Sequence, residues 1–300
     1  MIFRKIAKIF SDKFILFVNK IIPFKNYTIL DYEGRLGNNL QQILNGIIYS
    51  KINSANFYSS SHQYIKKIKI VNNEFHDKFR IFKKKYQFFA LESPSRNEIL
   101  PMKFMNSNFY IENANYYMKE NVSKKIKFLE EKKINEDTLV IHIRSGEIFN
   151  GKNKYPDYVQ NPLKFYEILI DKFEKVLIVS ENKNNPVISH LLKNNKVNFQ
   201  SSTLENDFNT LYSAQNLATS GVGTFGISAG LMSKKLKNFY CTNIFCDFHI
   251  NPKMLDKSNI NIFMFEIENY IQIGEWVGNK KNIDLMLSKN IKIKTPKNYE

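Results

Sequence analysis

Short apolar runs alternate along this chain with longer stretches in which apolar residues return every three or four positions. The short runs are typical of buried strands, and the longer stretches are typical of amphipathic helices. The predicted strand and helix pairs are residues 27–30 with 40–52, 139–143 with 163–173, 176–179 with 186–193, and 216–219 with 227–237. This alternation predicts an α/β protein whose parallel sheets are flanked by helices.

The chain is long enough for two lobes of this kind. It has 300 residues, of which 43% are hydrophobic, so it can bury a sizeable core. The lysine-rich stretch 121–137 is the predicted boundary, and there is no internal repeat or low-complexity linker. We expect an amphipathic helix over residues 1–26, an N-terminal lobe over 27–130 and a more Rossmann-like C-terminal lobe over 131–300. The pattern in residues 254–294 does not predict which of them form helices or strands.

The amino-terminal segment predicts a helix at a membrane surface. Its apolar residues recur at helical spacing, with Arg4, Lys5 and Lys8 mostly on the opposite side. The apolar run is interrupted by residues 11–13 and Lys20, and no small-residue cleavage site follows, so a signal peptide or a membrane span is not indicated. A helix packed on its own protein is the equal alternative.

The net charge of +16 suits three partners: nucleic acid, an anionic membrane surface or an anionic substrate. Nucleic acid is not expected, because the lysines are scattered and no nucleic-acid-binding signature accompanies them. Cys241 and Cys246 are the only cysteines and lack a second pair of metal ligands, which favours ordinary buried thiols in a reduced compartment. We therefore expect a cytoplasmic protein, peripheral on the inner face of the cytoplasmic membrane.

The predicted strand 139–143 carries His142 near its end and is followed at once by Arg144. Ligands bind at the carboxyl ends of parallel strands in open α/β sheets. The chain has 44 Lys and Arg residues together, of which only five are Arg, so an arginine here indicates a need for planar, bidentate contact with phosphate oxygens. A solvated arginine at an ordinary strand end is the alternative.

Two further segments are rich in glycine. Residues 31–42 form a predicted strand, turn and helix start, in which Gly34 and Gly37 allow close approach of an anionic or hydroxyl-rich ligand. The spacing matches neither the dinucleotide fingerprint nor a Walker motif, and a plain tight turn is the alternative. In residues 218–231, backbone N–H groups and the hydroxyls of Ser220 and Thr224 can cradle a diphosphate. Close packing of helix on strand through glycine explains this segment equally.

Taken in order, these and neighbouring segments resemble the fucosyltransferase-type glycosyltransferases, the group of α-1,2-, α-1,6- and protein O-fucosyltransferases. Residues 34–39 resemble the group's Gly-x-Leu-Gly-Asn turn, and residues 142–147 its His-x-Arg-x-Gly-Asp motif. Residues 109–117 are similar to its strand-and-helix entry before the second lobe, and residues 176–182 to its strand ending in Ser-Asp-Asp. Residues 207–225 resemble its donor loop.

The resemblance implies a GT-B-like fold of two Rossmann-like lobes, an N-terminal acceptor side and a C-terminal side that binds the nucleotide sugar. The implied activity is an inverting, metal-independent transfer of fucose from GDP-fucose to a glycan or glycolipid in bacterial surface polysaccharide or lipooligosaccharide synthesis. In two places the chain departs from the group: Glu147 replaces an Asp, and Glu181 and Asn182 replace an acidic pair that reads the nucleobase in relatives. A GDP-heptose or GDP-mannose type of donor is therefore one alternative, and a non-catalytic basic protein that binds membrane or polysaccharide is another.

The expected catalytic groups are an arginine for the departing diphosphate and a carboxylate base for the acceptor hydroxyl. No metal or cofactor is expected, because no Asp-x-Asp signature is present. His142 either orients its loop, contacts the nucleotide or is structural, and residues 155–160 resemble an acceptor-side loop. The catalytic candidates are Arg144, Glu147 and, as second choice of base, Asp157; the candidates for binding the nucleotide sugar are Gly34, Arg35, Gly37, Asn38, His142, Arg144, Glu181, Asn182, Ser220, Gly223, Thr224 and Phe225.

Overall fold

The computed structural model describes residues 26–29, 31–72, 74, 84–85, 102–149 and 156–296. The chain divides into two compact units, Met1–Lys127 and Phe128–Glu300, and each contains its own sheet. The predicted amphipathic helix over residues 1–26 lies outside the described residues, apart from Asn26.

The first unit is built on a four-stranded sheet in the order β3-β2-β1-β4. β1 runs parallel to β2 and β4, whereas β3 is antiparallel to β2. The strands are β1 Asn26–Ile29, β2 Asn56–Ser59, β3 Ile68–Ile70 and β4 Lys84–Lys85. The helices are α1 Leu36–Ile52, α2 Met102–Met105 and α3 Asn108–Tyr117, followed by a π-helical turn Met118–Val122 and a 3₁₀ turn Ser123–Lys125.

Two sequence predictions for the first unit were wrong in detail. The helix after β1 begins at Leu36 rather than at residue 40, because Asn39 and Gln42 both donate to the carbonyl of Glu33 and close the turn from within the helix. The predicted strand at the start of 109–117 is helical: α3 is capped by Ser107, whose hydroxyl accepts from the Tyr110 amide.

The second unit is built on a seven-stranded sheet in the order β11-β10-β9-β8-β5-β6-β7. All neighbours are parallel except β11, which is antiparallel to β10. The strands are β5 Thr138–His142, β6 Lys175–Val179, β7 Val197–Gln200, β8 Asn216–Ala218, β9 Asn238–Thr242, β10 Asn261–Ile267 and β11 Ile293–Lys294. The helices are α4 Leu163–Asp171, α5 Pro186–Leu191, α6 Leu204–Tyr212, α7 Phe225–Met232 and α8 Lys280–Leu287, with 3₁₀ turns at Gly146–Phe149 and Pro252–Met254.

The order of the seven strands reverses direction between β5 and β8. The chain places β6 and β7 on one side of β5, then returns to add β8, β9 and β10 on the other. In open parallel sheets such a reversal leaves a crevice at the carboxyl ends of the two strands, and ligands bind there. The predicted α/β class, with a mostly parallel sheet flanked by helices, is confirmed. The GT-B-like pairing of two Rossmann-like lobes stays a prediction.

The core of the second unit is the middle of β5, where Leu139, Val140 and Ile141 are fully buried. A strand buried on both faces requires helices on both sides of the sheet, as the continuous apolar run predicts. The helix after β8 ends at Met232, so its predicted extension to residue 237 was wrong. The hydroxyl of Ser233 accepts from the amides of Lys235 and Leu236 and turns the chain out of the helix.

Candidate active site

Two loops leave the sheet side by side at the reversal point. β5 and β8 are paired in parallel, with Ile141 opposite Ala218, so the residues after them emerge at the same edge. We call residues 143–146 the arginine loop and residues 219–224 the glycine loop. Most of the predicted site residues of the second unit lie on these loops or next to them.

The arginine loop holds Arg144 between two carboxylates. One nitrogen of its guanidinium donates to Glu147 and the other to Glu181, and the side chain is only 15% exposed. The alternative of a solvated strand-end arginine was therefore wrong. The structure brings three predicted residues, Arg144, Glu147 and Glu181, together. The two guanidinium nitrogens that we expected to bind a phosphate bind protein carboxylates instead.

Asn182 fastens the arginine loop to the loop after β6. Its Oδ1 accepts from the hydroxyl of Ser145 at 2.7 Å, from the amide of Gly146 at 3.3 Å and from the amide of Asn184 at 3.0 Å. The side-chain oxygen of Asn182, a predicted nucleotide-binding residue, is thus bonded within the protein and holds the two loops together. Within the described residues its Nδ2 has no partner, which leaves a donor for a ligand.

A second amide, Asn185, holds the loop from the start of α5. Its Nδ2 donates to the carbonyl of Arg144 at 3.0 Å, and its own amide donates to the hydroxyl of Ser145 at 2.8 Å. Sequence reasoning missed both Asn185 and Ser145. The available signal was an asparagine directly before Pro186, the first residue of a helix, where asparagine caps are common.

Gly146 is required at its position for two reasons. Its φ is +75°, in the left-handed region that glycine favours. A Cβ here would also lie 2.5 Å from a carboxylate oxygen of Glu181. The missing side chain therefore leaves the space in which Glu181 reaches Arg144.

His142, the last residue of β5, is buried between the arginine loop and α7. Its ring lies 5.5 Å from that of Phe225, and a Cβ on Gly226 would come within 3.0 Å of the imidazole. Burial, and then the charge of Arg144, lower the pKa of His142 to about 3. Of the roles predicted for this residue, a neutral ring that packs β5 against α7 fits this geometry best.

The glycine loop is shaped by the segment that precedes α4. Gly221 has a φ of +90°, and a Cβ on it would meet the carbonyl oxygen of Val159 at 2.8 Å. The amide of Val222 donates to that same carbonyl at 3.1 Å. Asn161 donates from its side chain to the carbonyl of Thr219 at 2.8 Å. Asn161 is a second positioning residue that sequence reasoning missed, and it too directly precedes a proline at a helix start.

The hydroxyl of Ser220 has no hydrogen-bond partner among the described residues, although Ser220 is 1% exposed. Buried hydroxyls are nearly always bonded, so an unmet one requires an explanation. The loop leads through Gly223 and Thr224 into the amino terminus of α7, where the first backbone N–H groups have no partner within the helix and favour an anion. The Ser220 hydroxyl and these N–H groups can donate hydrogen bonds to the oxygens of an anion.

The alternative base, Asp157, lies in the segment that packs on Trp276. The carbonyl of Pro156 accepts from the amide of Trp276 at 3.1 Å, and the Trp276 ring lies 5.7 Å from that of Phe149. No hydrogen bond or ion pair of the described structure joins Asp157 to Arg144. Tyr155, part of the expected acceptor-side loop, lies outside the described residues.

The predicted turn of the first unit requires glycine at position 34. Gly34 has a φ of +74°, and a Cβ on it would lie 2.5 Å from the side-chain nitrogen of Asn38. Gly34 and Arg35 are exposed, whereas Gly37 is buried in α1. Sequence reasoning missed Asn39 as a positioning residue. Its Nδ2 donates to Glu33, and its buried Oδ1 has no partner in the described part of the chain.

The remaining sequence predictions concern the thiols, the metal and the membrane. Cys241 and Cys246 are free and buried, as predicted, and burial followed by nearby aspartates raises the pKa of Cys246 to about 12. Within the described part of the chain, no three histidine, cysteine or acidic residues cluster as metal ligands. None of the helices described is both long and apolar enough to cross a membrane.

No protein-family model and no curated protein matches this chain. Solved structures of the protein O-fucosyltransferase POFUT1 do match it. The structure of POFUT1 in complex with GDP has a TM-score of 0.37 and 10% identity, over 73% of this chain and 98% of that chain. Two structures of POFUT1 in complex with GDP-fucose have TM-scores of 0.32 and 0.30 at 9% identity, over 73% and 71% of this chain and 98% and 95% of those chains. At these values, what this chain does has to be argued from its own residues.

Proposed function

We propose that this protein is a glycosyltransferase that takes its sugar from a nucleoside diphosphate sugar. The first proposed donor is GDP-fucose, from which the enzyme would transfer fucose. One observation carries the proposal: a guanidinium and a glycine loop with an unpartnered buried hydroxyl emerge side by side where the strand order reverses. The loop can donate to an anion directly and the guanidinium can do so once a carboxylate has left it, and the site lies where open α/β sheets bind nucleotides.

The proposed chemistry is the displacement of a diphosphate from the anomeric carbon. When that bond breaks, negative charge develops on the diphosphate, and donors already fixed in place lower the energy of that state. Arg144, the Ser220 hydroxyl and the start of α7 are the groups we assign to this task. Because they can meet the developing charge themselves, we propose that no divalent cation is required.

The acceptor hydroxyl has to lose its proton as its oxygen attacks the anomeric carbon from the opposite face, which inverts the configuration. Glu147 is the first proposed base, since its ion pair with Arg144 fixes it beside the diphosphate site. Asp157 is the second. The oxygen of Glu147 that does not bond Arg144 is the one that has to take the proton.

The proposed reader of the nucleobase is the amide nitrogen of Asn182. Because Oδ1 is committed to the loop, this side chain can offer a ligand only a donor. Guanine presents the acceptors O6 and N7, whereas adenine presents an amino group beside its N7. An amide donor at this position fits either of these guanine acceptors, as the proposed GDP donor requires. GDP-heptose and GDP-mannose types of donor share this base and remain alternatives to GDP-fucose.

The acceptor we propose is a glycan or glycolipid of bacterial surface polysaccharide or lipooligosaccharide, bound by the first unit. The net charge of +16 supports attachment to the anionic inner face of the cytoplasmic membrane, and residues 1–24 are the proposed anchor. The competing function is a non-catalytic membrane- or polysaccharide-binding protein. The two carboxylates on Arg144 favour this competitor, because they occupy the arginine meant for the donor.

The test is release of GDP from GDP-fucose, with and without a glycan acceptor, in excess EDTA. We expect release to continue on chelation and to fall strongly in Arg144→Ala. Loss of turnover on chelation that Mg²⁺ or Mn²⁺ restores would contradict the metal-free mechanism. Absence of turnover with every donor in a panel of nucleotide sugars would favour the non-catalytic protein.

A further inference from the structure

The charges around Arg144 oppose the ligand that the proposed function requires. One guanidinium and two carboxylates give the cluster a formal charge of −1. A diphosphate brought to this cluster meets repulsion from both carboxylates at close range, in a region with less screening than bulk water. One of the two ion pairs therefore has to open when the donor binds.

The two carboxylates are held differently. Glu147 follows Arg144 by three residues and lies in the 3₁₀ turn Gly146–Phe149, so its place is fixed by the same short turn. Glu181 reaches across from the loop after β6, and its side chain is the more exposed of the two, at 33% against 26%. Glu181 is thus the carboxylate that can swing into solvent without unfolding the arginine loop.

Glu181 also occupies the place an anion would take. Its carboxylate lies against the backbone of Gly146, where even a methyl group would be 2.5 Å from an oxygen. The space beside Gly146 and the guanidinium thus holds an oxygen anion, while the Gly146 amide itself donates to Asn182. In the structure a protein carboxylate fills that space.

We propose that Glu181 is an internal anion that holds Arg144 in the absence of donor and is displaced by the diphosphate. This inference rests on the proposed function and deepens it. Glu181 keeps the guanidinium folded toward the crevice and weakens the binding of every diphosphate. After transfer, its return to Arg144 helps to expel the nucleotide product. Glu181 is in this sense a positioning residue, which takes no part in the bond that breaks.

The experiment measures binding of inorganic pyrophosphate and of GDP by calorimetry to the wild type and to Glu181→Gln, which keeps the shape and removes the charge. We expect both ligands to bind about tenfold more tightly to the variant, since one close negative charge is gone. Under steady-state conditions GDP release should slow, so kcat and KM should both fall. Glu181→Ala should behave in the same way.

Two matched variants make the test specific. Glu174, exposed, precedes β6 as Glu181 follows it, so Glu174→Gln removes the same charge at the opposite end of the strand and should change nothing. Glu147→Gln removes the other partner of Arg144 and should tighten pyrophosphate binding less than Glu181→Gln. Equal tightening in both would mean a diffuse effect of charge and would overturn the displacement of Glu181.

Three further results would also overturn the inference. If Glu181→Gln binds pyrophosphate like the wild type but loses affinity for GDP, then Glu181 reads the nucleobase. If the wild type binds GDP and transfers sugar while Glu181→Gln is unchanged, only the displacement fails. If neither the wild type nor any variant binds either ligand, the proposed function itself fails. Melting temperatures of all variants confirm that each one is folded.

Discussion

The two loops at the strand reversal differ in how far their polar groups are already satisfied. In the arginine loop the guanidinium is bonded on both arms and the Ser145 hydroxyl is bonded twice. In the glycine loop the Ser220 hydroxyl is buried, and no described residue bonds to it. The arginine loop therefore has to open an ion pair before it binds an anion, whereas the glycine loop gains a hydrogen bond that folding left unmade.

The loops also differ in what shapes them. Side-chain amides from the loop after β6 hold the arginine loop, so its conformation depends on several separate hydrogen bonds. The glycine loop depends on a left-handed Gly221 pressed against the carbonyl of Val159. Substitutions in the arginine loop should therefore change binding more than stability, and those at Gly221 should change stability first.

The largest expected effect concerns His142, the neutral ring that packs β5 against α7. Its pKa is lowered to about 3, so between pH 6.5 and 3 the unfolded chain takes up a proton that the folded chain refuses. Stability is lost as pH falls through this window, by about 5 kcal/mol for this one group. In His142→Asn, the slope of unfolding free energy against pH should fall by about 1.4 kcal/mol per pH unit between pH 6 and 4.

Chemical denaturation at several pH values measures this slope. His249 is also buried with a pKa lowered to about 4, so part of the slope remains in the variant. His190 is exposed, and His190→Asn is the matched control that should leave the slope as it is. An unchanged slope in His142→Asn would mean that His142 is not a buried neutral ring.

The next effect is on turnover at Arg144. Arg144→Lys keeps the charge but loses the planar fork, so it should act nearly as badly as Arg144→Ala. Removal of a preorganised donor costs on the order of 10² to 10³ in turnover, or roughly 3–4 kcal/mol. Lys237→Ala, which breaks an exposed ion pair with Glu136, is the control and should change little. If a folded Arg144→Lys variant keeps turnover near that of the wild type, then Arg144 contributes only its positive charge and the bidentate contact is not needed.

A pair of glycine variants tests the shape of the glycine loop. Gly221→Ala places a Cβ at a positive φ and 2.8 Å from a carbonyl oxygen, so it should cost about 2–3 kcal/mol of stability. Gly223→Ala meets nothing closer than the Ser220 hydroxyl at 3.6 Å and should fold normally. If the diphosphate approaches this backbone, Gly223→Ala should nevertheless bind GDP more weakly. Equal stability of the two variants in thermal unfolding would contradict the strained turn.

The smallest expected effect has the clearest sign. Ser220→Ala removes a buried hydroxyl that has no partner, so stability should stay constant or rise, while GDP binding should weaken by about 1 kcal/mol, roughly fivefold. Ser228→Ala removes a hydroxyl that donates to the carbonyl of Thr224 at 2.6 Å, and should lower stability by about 1 kcal/mol. If Ser220→Ala were the less stable of the two, the hydroxyl of Ser220 would have a structural role.

Sequence patterns predicted only part of the buried sheet, and the central strand β9 was missed. β5, β6 and β8 and the helices after them were found because continuous apolar runs mark central strands. β7 and α8 were not, because β7 is a four-residue edge strand with polar residues and Met286 is the one buried side chain of α8. Elements at the rim are determined by their neighbours more than by their own sequence.

The site, like the fold, was predicted only in part. Strand ends and the family resemblance singled out Arg144, Glu147 and Glu181, and the structure brings these three together. That the carboxylates bond the arginine itself depends on distances across two loops, which no spacing along the chain encodes. Asn161 and Asn185 were missed because their partners are backbone carbonyls, and only the folded chain shows which carbonyls lie within reach.

The most direct test of the diphosphate site is the thermal unfolding of the wild type with GDP, UDP, ADP and CMP. At about 100 times its dissociation constant, a ligand that binds only the folded chain stabilises it by about 2.7 kcal/mol. We predict that GDP stabilises the protein by about this amount, ADP and CMP far less, and that Ser220→Ala with Arg144→Ala abolishes the shift. Stabilisation by none of the four nucleotides, or an equal GDP shift in the double variant, would contradict a diphosphate site between these two loops.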